Sequence, residues 1–202
     1  MEMILNKISN FISRHTDNMT NEDKEIVSYG LELFFLKLFF FLTTVIISIS
    51  MHCLVEGLVF TFFFSLLRSN SGGYHANTRI GCFIISILMF ISTLILVNHI
   101  EEYGNLGGFI ISFSVFSSIV IVTFAPLDTE SNRLDKVEKK LFRRKSQIIL
   151  GIEVVLAIIL LYFKLKNLAY IIFLAIIETS ILLVMELIKI IIKSRSRNGS
   201  DS

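Results

Sequence analysis

The sequence has 202 residues, enough for one domain, of which 53% are hydrophobic and 18% are charged. Soluble domains have about 45–50% apolar and about 25% charged residues, so this composition argues against a disordered chain and an ordinary water-soluble enzyme. The formal net charge of only +2 argues against a nucleic-acid-binding protein. The composition instead predicts an all-α fold, a polytopic bundle of transmembrane helices in a single domain over residues 1–202.

The N-terminal segment, residues 1–25, is predicted to form an amphipathic helix ahead of the membrane segments. It contains apolar residues at helical spacing, which form one stripe: Ile4, Leu5, Ile8, Phe11 and Ile12. Two interpretations stay open. The helix either lies on the membrane surface or packs on the protein's own spans.

The apolar stretch Leu33–Leu67 predicts two membrane segments rather than one. As a single helix it would measure about 50 Å, too long for a hydrocarbon core of about 30 Å. His52 and Glu56 lie in its middle, so we divide it into Leu33–Ser50 and Leu54–Leu67, the second being either a short span or a re-entrant segment. Four later segments approach the length of a full span, which makes about six in all: Ile80–Val97, Leu106–Phe124, Gln147–Phe163 and Leu168–Ile188.

The basic residues predict how these segments are oriented. With six segments and the N-terminus inside, all of the 19 lysines and arginines except Lys37, Lys164 and Lys166 fall on one side. The positive-inside rule therefore predicts a multi-pass protein of the cell membrane. Both termini, including the polar tail 194–202, and the loops 68–82 and 128–146 are predicted to be cytoplasmic.

The loop 68–82 carries the densest group of reactive side chains in the sequence. His75 is a candidate general base near neutral pH, and Cys82 is a candidate nucleophile in its thiolate form. Residues seven apart on a continuous helix are separated by about 10 Å, whereas proton transfer needs about 3 Å. The two side chains can therefore act together only if Gly72-Gly73 folds the loop back.

Two arginines, Arg68 and Arg79, flank this pair, and either can stabilise a thiolate or bind a substrate carboxylate. The alternative is that both residues are structural. Cys82 would then be a small apolar residue of a membrane helix, and His75 would be a hydrogen-bonded cap at the membrane interface. Adjacent residues of a helix do not face each other, so we interpret His52-Cys53 as structural. Candidates to orient His75 are polar residues that the sequence does not distinguish: Asn70, Asn77 and Glu56.

The string from Arg68 through Gly72-Gly73-Tyr74-His75-Ala76 to Cys82 resembles the accessory gene regulator protein B (AgrB) family. Members of this family are membrane endopeptidases of Gram-positive quorum-sensing systems. The step Ala125-Pro126-Leu127-Asp128 after a span, and the basic segment behind it, are also similar to the family pattern. The resemblance extends over nearly the whole chain, from the amphipathic N-terminus to the last span.

The resemblance implies a cysteine endopeptidase that acts on an AgrD-type precursor peptide, needs no cofactor or metal and forms a homodimer. Cys82, with His75 as base, would attack a peptide bond and release the acidic C-terminal tail of the peptide. The resulting thioester would pass to a Cys or Ser of the peptide and close a thiolactone or lactone ring. We assign Arg68, Gly73 and Arg79 to substrate binding.

The basic loop 128–146 offers a second contact for the peptide. Its last third is uniformly positive and would attract an acidic tail, through four residues in particular: Lys139, Lys140, Arg143 and Arg144. The alternative is that positive-inside topology alone demands such a loop, with anionic membrane lipid as its partner.

Three carboxylates, Glu153, Glu178 and Glu186, lie inside the last two predicted spans. Intramembrane carboxylates are costly and face protein or water, so we expect packing or an oligomer contact here rather than catalysis. Glu186 has the spacing to pair with Lys189. Such groups would be compatible with a peptide transporter, which is the second hypothesis for the function. A non-catalytic docking protein is the third. Neither needs the nucleophile and base of the loop 68–82.

Overall fold

The computed structural model describes residues 21–72, 79–100, 105–127 and 135–198. This part of the chain contains six α-helices and no strand, which confirms the all-α prediction. The helices are α1 (Asn21–Ser50), α2 (Leu54–Ser71), α3 (Arg79–Asn98), α4 (Leu106–Phe124), α5 (Lys136–Tyr162) and α6 (Lys166–Asn198). Residues 1–20 of the predicted amphipathic segment and 199–202 of the predicted tail lie outside the described residues.

The chain divides into two compact units, Met1–Thr43 and Thr44–Ser202. In the first unit the described residues belong to α1, where the Thr43 hydroxyl donates a hydrogen bond to the carbonyl oxygen of Phe39 at 2.8 Å. The second unit contains the end of α1 and all of α2 to α6. Every candidate site residue falls in this second unit.

The predicted break between the first two membrane segments is confirmed, and a Schellman motif forms it. The Cys53 N–H donates to the Ser48 carbonyl at 2.9 Å, and the His52 N–H donates to the Ile49 carbonyl at 3.1 Å. His52 takes the left-handed position of the motif, with φ of 56°. Because these bonds satisfy the last carbonyls of α1, the chain turns at once and α2 begins at Leu54.

Helix α6 is the centre of the second unit, because it contacts α2, α3, α4 and α5. The run Ile171–Ser180 is buried without interruption, so neighbours cover every face of the helix there. A helix that is apolar on all sides is typical of such a central position. The packing is close at Gly107 of α4, where a Cβ atom would lie 2.7 Å from Cζ of Tyr170.

The outer faces of the bundle are apolar, as expected for a protein surrounded by lipid. Large apolar side chains are exposed along α4 and α5, including Phe109, Phe116, Ile152 and Val155. Polar side chains point inward instead, among them Ser117, which is fully buried on α4. This distribution is the reverse of that in a soluble domain and identifies a helical membrane bundle.

Four described helices are long and apolar enough to cross a membrane, against about six predicted segments. Their spanning parts are Gly81–Asn98, Leu106–Phe124, Lys136–Tyr162 and Lys166–Lys193. The apolar stretch Phe34–Ser50 is shorter. Helix α2 is not among the four, because Glu56, Arg68 and Asn70 offset its apolar residues. With 18 residues, α2 is longer than the segment Leu54–Leu67 predicted for it, so its composition and not its length sets it apart.

The predicted basic loop 128–146 differs from the structure, because α5 begins at Lys136 and residues 136–146 are helical. A capping box starts the helix. The Asp135 carboxylate accepts from the Lys136 N–H at 2.7 Å, and the Glu138 carboxylate accepts from the Asp135 N–H at 3.0 Å. These bonds satisfy N–H groups that have no partner inside the helix, so α5 extends through the charged residues. Residues 128–134 lie outside the described part.

Two buried carboxyl groups of the spans differ in their hydrogen bonding. Glu178 of α6 accepts a hydrogen bond from the Thr93 hydroxyl of α3 at 2.5 Å. Glu153 of α5 is fully buried, and neither of its carboxyl oxygens has a hydrogen-bond partner among the described residues. A buried polar group without a hydrogen-bond partner costs free energy, so the burial of Glu153 destabilises the fold more than the burial of Glu178 does.

We predict opposite changes in stability at these two places. Glu153→Leu should raise the free energy of unfolding by about 1–3 kcal/mol, because it removes a buried polar group that makes no bond. Thr93→Val should lower it by about 1–3 kcal/mol, because it leaves the Glu178 carboxyl without its donor. Thermal unfolding of the two variants in detergent measures both changes, and a loss of stability in Glu153→Leu would contradict the assignment of Glu153 as unpaired.

Candidate active site

Cys82 lies at the end of the first turn of α3, and its side chain is half-buried. The N–H groups in the first turn of a helix have no acceptor within the helix and give that end a partial positive charge. A thiolate is stabilised at such a helix N-terminus. The local structure around Cys82 is therefore suited to a nucleophilic sulfur.

Arg68 brings a positive charge to this sulfur. It lies in the last turn of α2 and is half-buried, and its guanidinium lies within electrostatic range of the Cys82 side chain. A guanidinium is always charged in proteins, so it stabilises a negative charge on the nearby sulfur. The contact fits the first of the two roles predicted for Arg68, support of a thiolate.

The end of α2 is fixed by the segment that follows α4. The Leu127 N–H donates to the carbonyl of Ser71 at 3.3 Å, and the Gly72 N–H donates to the carbonyl of Arg68 at 3.1 Å. Gly72 has φ of 73°, and a Cβ atom there would lie 3.0 Å from the carbonyl oxygen of Leu127. Only glycine suits both the conformation and the space, so the loop 68–82 leaves α2 in a defined direction.

Several predicted site residues fall outside the described part of the chain. His75 and Gly73 belong to residues 73–78, which the structure does not describe, and only the backbone of Arg79, as the start of α3, is described. The approach of His75 to Cys82 therefore stays a prediction. Of the predicted pairings in this loop, the structure brings Arg68 and Cys82 together.

Cys53 occupies a different kind of environment. It is buried just before α2, at the opposite end of that helix from Arg68, which is about 22 Å along the helix axis. Its sulfur lies 3.0 Å from Nδ2 and 3.1 Å from Oδ1 of Asn98, and 3.1 Å from the carbonyl oxygen of Met51. These contacts tie the start of α2 to the end of α3, in agreement with a structural role.

The four basic residues predicted to contact substrate, Lys139, Lys140, Arg143 and Arg144, are exposed on the first turns of α5. The guanidinium Nη2 of Arg143 lies 3.5 Å from the carbonyl oxygen of Val122, near the end of α4. The end of α4 in turn leads into Leu127, which contacts the end of α2. The basic turns of α5 and the Arg68–Cys82 contact therefore lie at the same end of the bundle.

Glu186 of α6 is a further charged residue near this site, and this position was not predicted from the sequence. Its predicted partner is Lys189, but its carboxylate also acts electrostatically on the guanidinium of Arg68. Glu186 is buried. One signal was available in the sequence: the six-segment topology places Glu186 and Arg68 near the same, cytoplasmic end of their helices.

Comparison with known proteins gives one consistent result. The sequence profile of the family described as Accessory gene regulator B matches residues 5–188. The chain is 34% identical over 156 residues to a "Putative AgrB-like protein" of Clostridium perfringens strain SM101, which covers 72% of each chain. It is 32% identical to "Putative AgrB-like protein 2" of Clostridium perfringens strain 13, again over 72% of each. It is 26% identical to a "Putative AgrB-like protein" of Clostridium acetobutylicum, over 75% of this chain and 70% of the relative. No solved structure matches.

The Arg68–Cys82 contact predicts a difference in reactivity between the two cysteines. Cys82 should be alkylated by iodoacetamide faster than Cys53, and Arg68→Gln should slow the reaction of Cys82 about tenfold, because about 1.4 kcal/mol of charge stabilisation is lost. Mass spectrometry of the two cysteine peptides measures both rates in one sample. Cys53 is the internal control, and an equal slowing at both cysteines would indicate a change in folding instead.

Proposed function

Because this chain belongs to the accessory gene regulator B (AgrB) family, we propose that it is a membrane cysteine endopeptidase that processes an AgrD-type precursor peptide. The observation that carries this proposal is the position of Cys82 in the first turn of α3, within electrostatic range of the Arg68 guanidinium. A buried structural cysteine has no need of a cation. A nucleophilic cysteine does, because the thiolate is the reactive form.

In the first step the Cys82 thiolate attacks the carbonyl carbon of a peptide bond at the C-terminal side of the future signal. A carbon–sulfur bond forms and the carbon–nitrogen bond breaks. His75, the proposed general acid and base, transfers a proton to the departing amine. N–H groups near Cys82 at the start of α3 are proposed to bind the oxyanion that develops on the carbonyl oxygen.

In the second step a Cys or Ser of the peptide attacks the thioester on Cys82. His75 accepts the proton of the attacking thiol or hydroxyl, the new ring closes as a thiolactone or lactone, and the Cys82 sulfur leaves as a thiolate. Exchange of one thioester for another nearly conserves bond energy, so the ring forms only if water is kept from the acyl-enzyme. The position of Cys82, half-buried beside the end of α2, supports such protection.

The acidic tail of the precursor is proposed to bind the basic first turns of α5. Lys139, Lys140, Arg143 and Arg144 are exposed there, at the same end of the bundle as Cys82. An extended chain spans about 3.3 Å per residue, so a short peptide reaches both places at once. Gly73 and Arg79 remain proposed substrate contacts, and the site and both termini are proposed to face the cytoplasm, in keeping with the positive charge of this end.

A peptide transporter is the alternative function, and the observation that favours it is Glu153. Its carboxyl group is fully buried in a membrane-spanning helix without a hydrogen-bond partner among the described residues. Such groups mark ion or proton pathways in membrane proteins. A transporter of this kind would lose its transport activity in Glu153→Gln and keep it in Cys82→Ala. The proposed peptidase would instead lose its activity in Cys82→Ala.

Co-expression of this protein with its AgrD-type peptide, followed by mass spectrometry of the peptide, tests the proposal. Wild type and Cys53→Ala should release the C-terminal tail, because Cys53 lies at the opposite end of α2. Cys82→Ala and His75→Ala should leave the peptide intact, with losses of at least 10³-fold, about what removal of a nucleophile costs. Cleavage by Cys82→Ala would show that the nucleophile is a different residue.

A further inference from the structure

An apolar groove of about 440 Å³ lies between α4 and α6 on the outer surface of the bundle. Phe109, Phe113 and Phe116 of α4 line one side of it, and each of these rings is more than half exposed. Leu174 and Ile177 of α6, which are buried, form its floor. The volume is within the range of about 300–1,000 Å³ found for small-molecule sites.

The lining of this groove favours an apolar occupant. Among the described residues that line it, Ser112 alone has a polar side chain. Its hydroxyl donates to the carbonyl oxygen of Gly108 at 2.9 Å, so the proton is already used within α4. Aromatic and aliphatic side chains are what remain, and these suit the hydrocarbon chain of a lipid.

A lysine stands at one end of the groove. Lys166 is exposed at the start of α6, and Tyr170, Leu174 and Ile177 follow it at intervals of four, four and three residues. This spacing places all four residues on one face of the helix. Tyr170 packs against Gly107 of α4, so that face is turned toward α4 and the groove.

The distance from the lysine to the far end of the groove matches one leaflet of a bilayer. Lys166 and Ile177 are eleven residues apart, which is about 16 Å along the helix axis. One leaflet is half of a hydrocarbon core of about 30 Å. The ammonium group of Lys166 therefore lies at the level of the lipid headgroups when the groove lies along the acyl chains of the same leaflet.

We propose that this groove and Lys166 form a binding site for one anionic phospholipid. An acyl chain fills the groove, and the phosphate group of the lipid lies beside the Lys166 ammonium group. Charge complementarity selects the lipid, because a lysine near the membrane surface attracts anionic headgroups. The site is at the end of the bundle opposite Cys82, since Tyr170 packs on the start of α4 and the end of α4 leads to the candidate active site.

Quenching of a single tryptophan by brominated lipid tests this inference, because the sequence contains no tryptophan of its own. Phe113→Trp places the probe in the groove, and Phe109→Trp, at the most exposed of the three rings, is a second probe of the same groove. Val115→Trp is the matched control. Val115 is exposed on the same helix, about 3 Å from Phe113 along its axis, and does not line the groove.

The full-length variants are reconstituted into vesicles of phosphatidylcholine and phosphatidylglycerol, in which one lipid or the other has dibrominated acyl chains. Phe113→Trp and Phe109→Trp should report about fivefold tighter binding of phosphatidylglycerol, the attraction expected of one lysine at an anionic surface. Val115→Trp should report no such preference. Adding Lys166→Gln should bring the groove probes to the value of Val115→Trp, while Lys166→Arg and low salt should keep the preference.

Four results would overturn the inference. The same preference at Val115→Trp would indicate attraction by the whole surface instead of a site. A preference that survives Lys166→Gln would show that Lys166 does not select the lipid. A loss of the same size in Lys164→Gln would assign the selection to the charge of the turn before α6. Quenching at Val115→Trp, but by neither lipid at the groove probes, would show that protein covers the groove, a second copy of this chain for example.

Discussion

The burial of α6 is the constraint on which the rest of this structure depends. Its segment Ile171–Ser180 is covered on all sides, and four other helices pack against it. A helix in this position must be apolar around its circumference, and each polar group that it carries must find a partner in a neighbour. Glu178 accepts a hydrogen bond from Thr93 of α3, and the buried Glu186 lies within electrostatic range of Arg68 on α2.

The same packing creates the candidate site at one end of the bundle. The last turn of α2, the first turn of α3, the segment after α4 and the inner face of α6 meet there. Three of them supply parts of the candidate site: Arg68 the charge, Cys82 the sulfur, and Leu127 the contact that fixes the end of α2. None of these elements holds the site alone. This arrangement supports the proposal that a short loop between two apolar helices carries chemistry at the edge of a membrane.

Much of this architecture could be predicted from the sequence, because the thickness of a bilayer limits the length of each span. The break between α1 and α2 is the best example, since Leu33–Leu67 is too long for one crossing and polar residues mark its middle. The basic loop predicted over 128–146 was wrong from Lys136 onward, because the capping box of Asp135 and Glu138 starts a helix there.

The side-chain contacts of the site were less accessible to prediction. The residue types of the loop 68–82 and the resemblance to the AgrB family both pointed to Arg68 and Cys82, but the distance between them depends on how α2 and α3 are rotated against each other. The position of Glu186 depends on the packing of α6, far away in the sequence, and its spacing to Lys189 suggested a simpler partner. The position of His75, in residues 73–78, lies outside the described residues and rests on the resemblance.

The central claim is that Cys82 forms a thioester with the substrate, and trapping that intermediate tests it most directly. The purified protein is mixed with an AgrD-type peptide in which the ring-closing Cys or Ser is replaced by Ala. The acyl group can then leave Cys82 only by slow hydrolysis. Intact-mass and peptide mass spectrometry should find the N-terminal fragment of the peptide attached at Cys82, with the tail free in solution and the adduct removed by hydroxylamine. A free tail without any adduct on Cys82, or with an adduct on a different residue, would contradict the account.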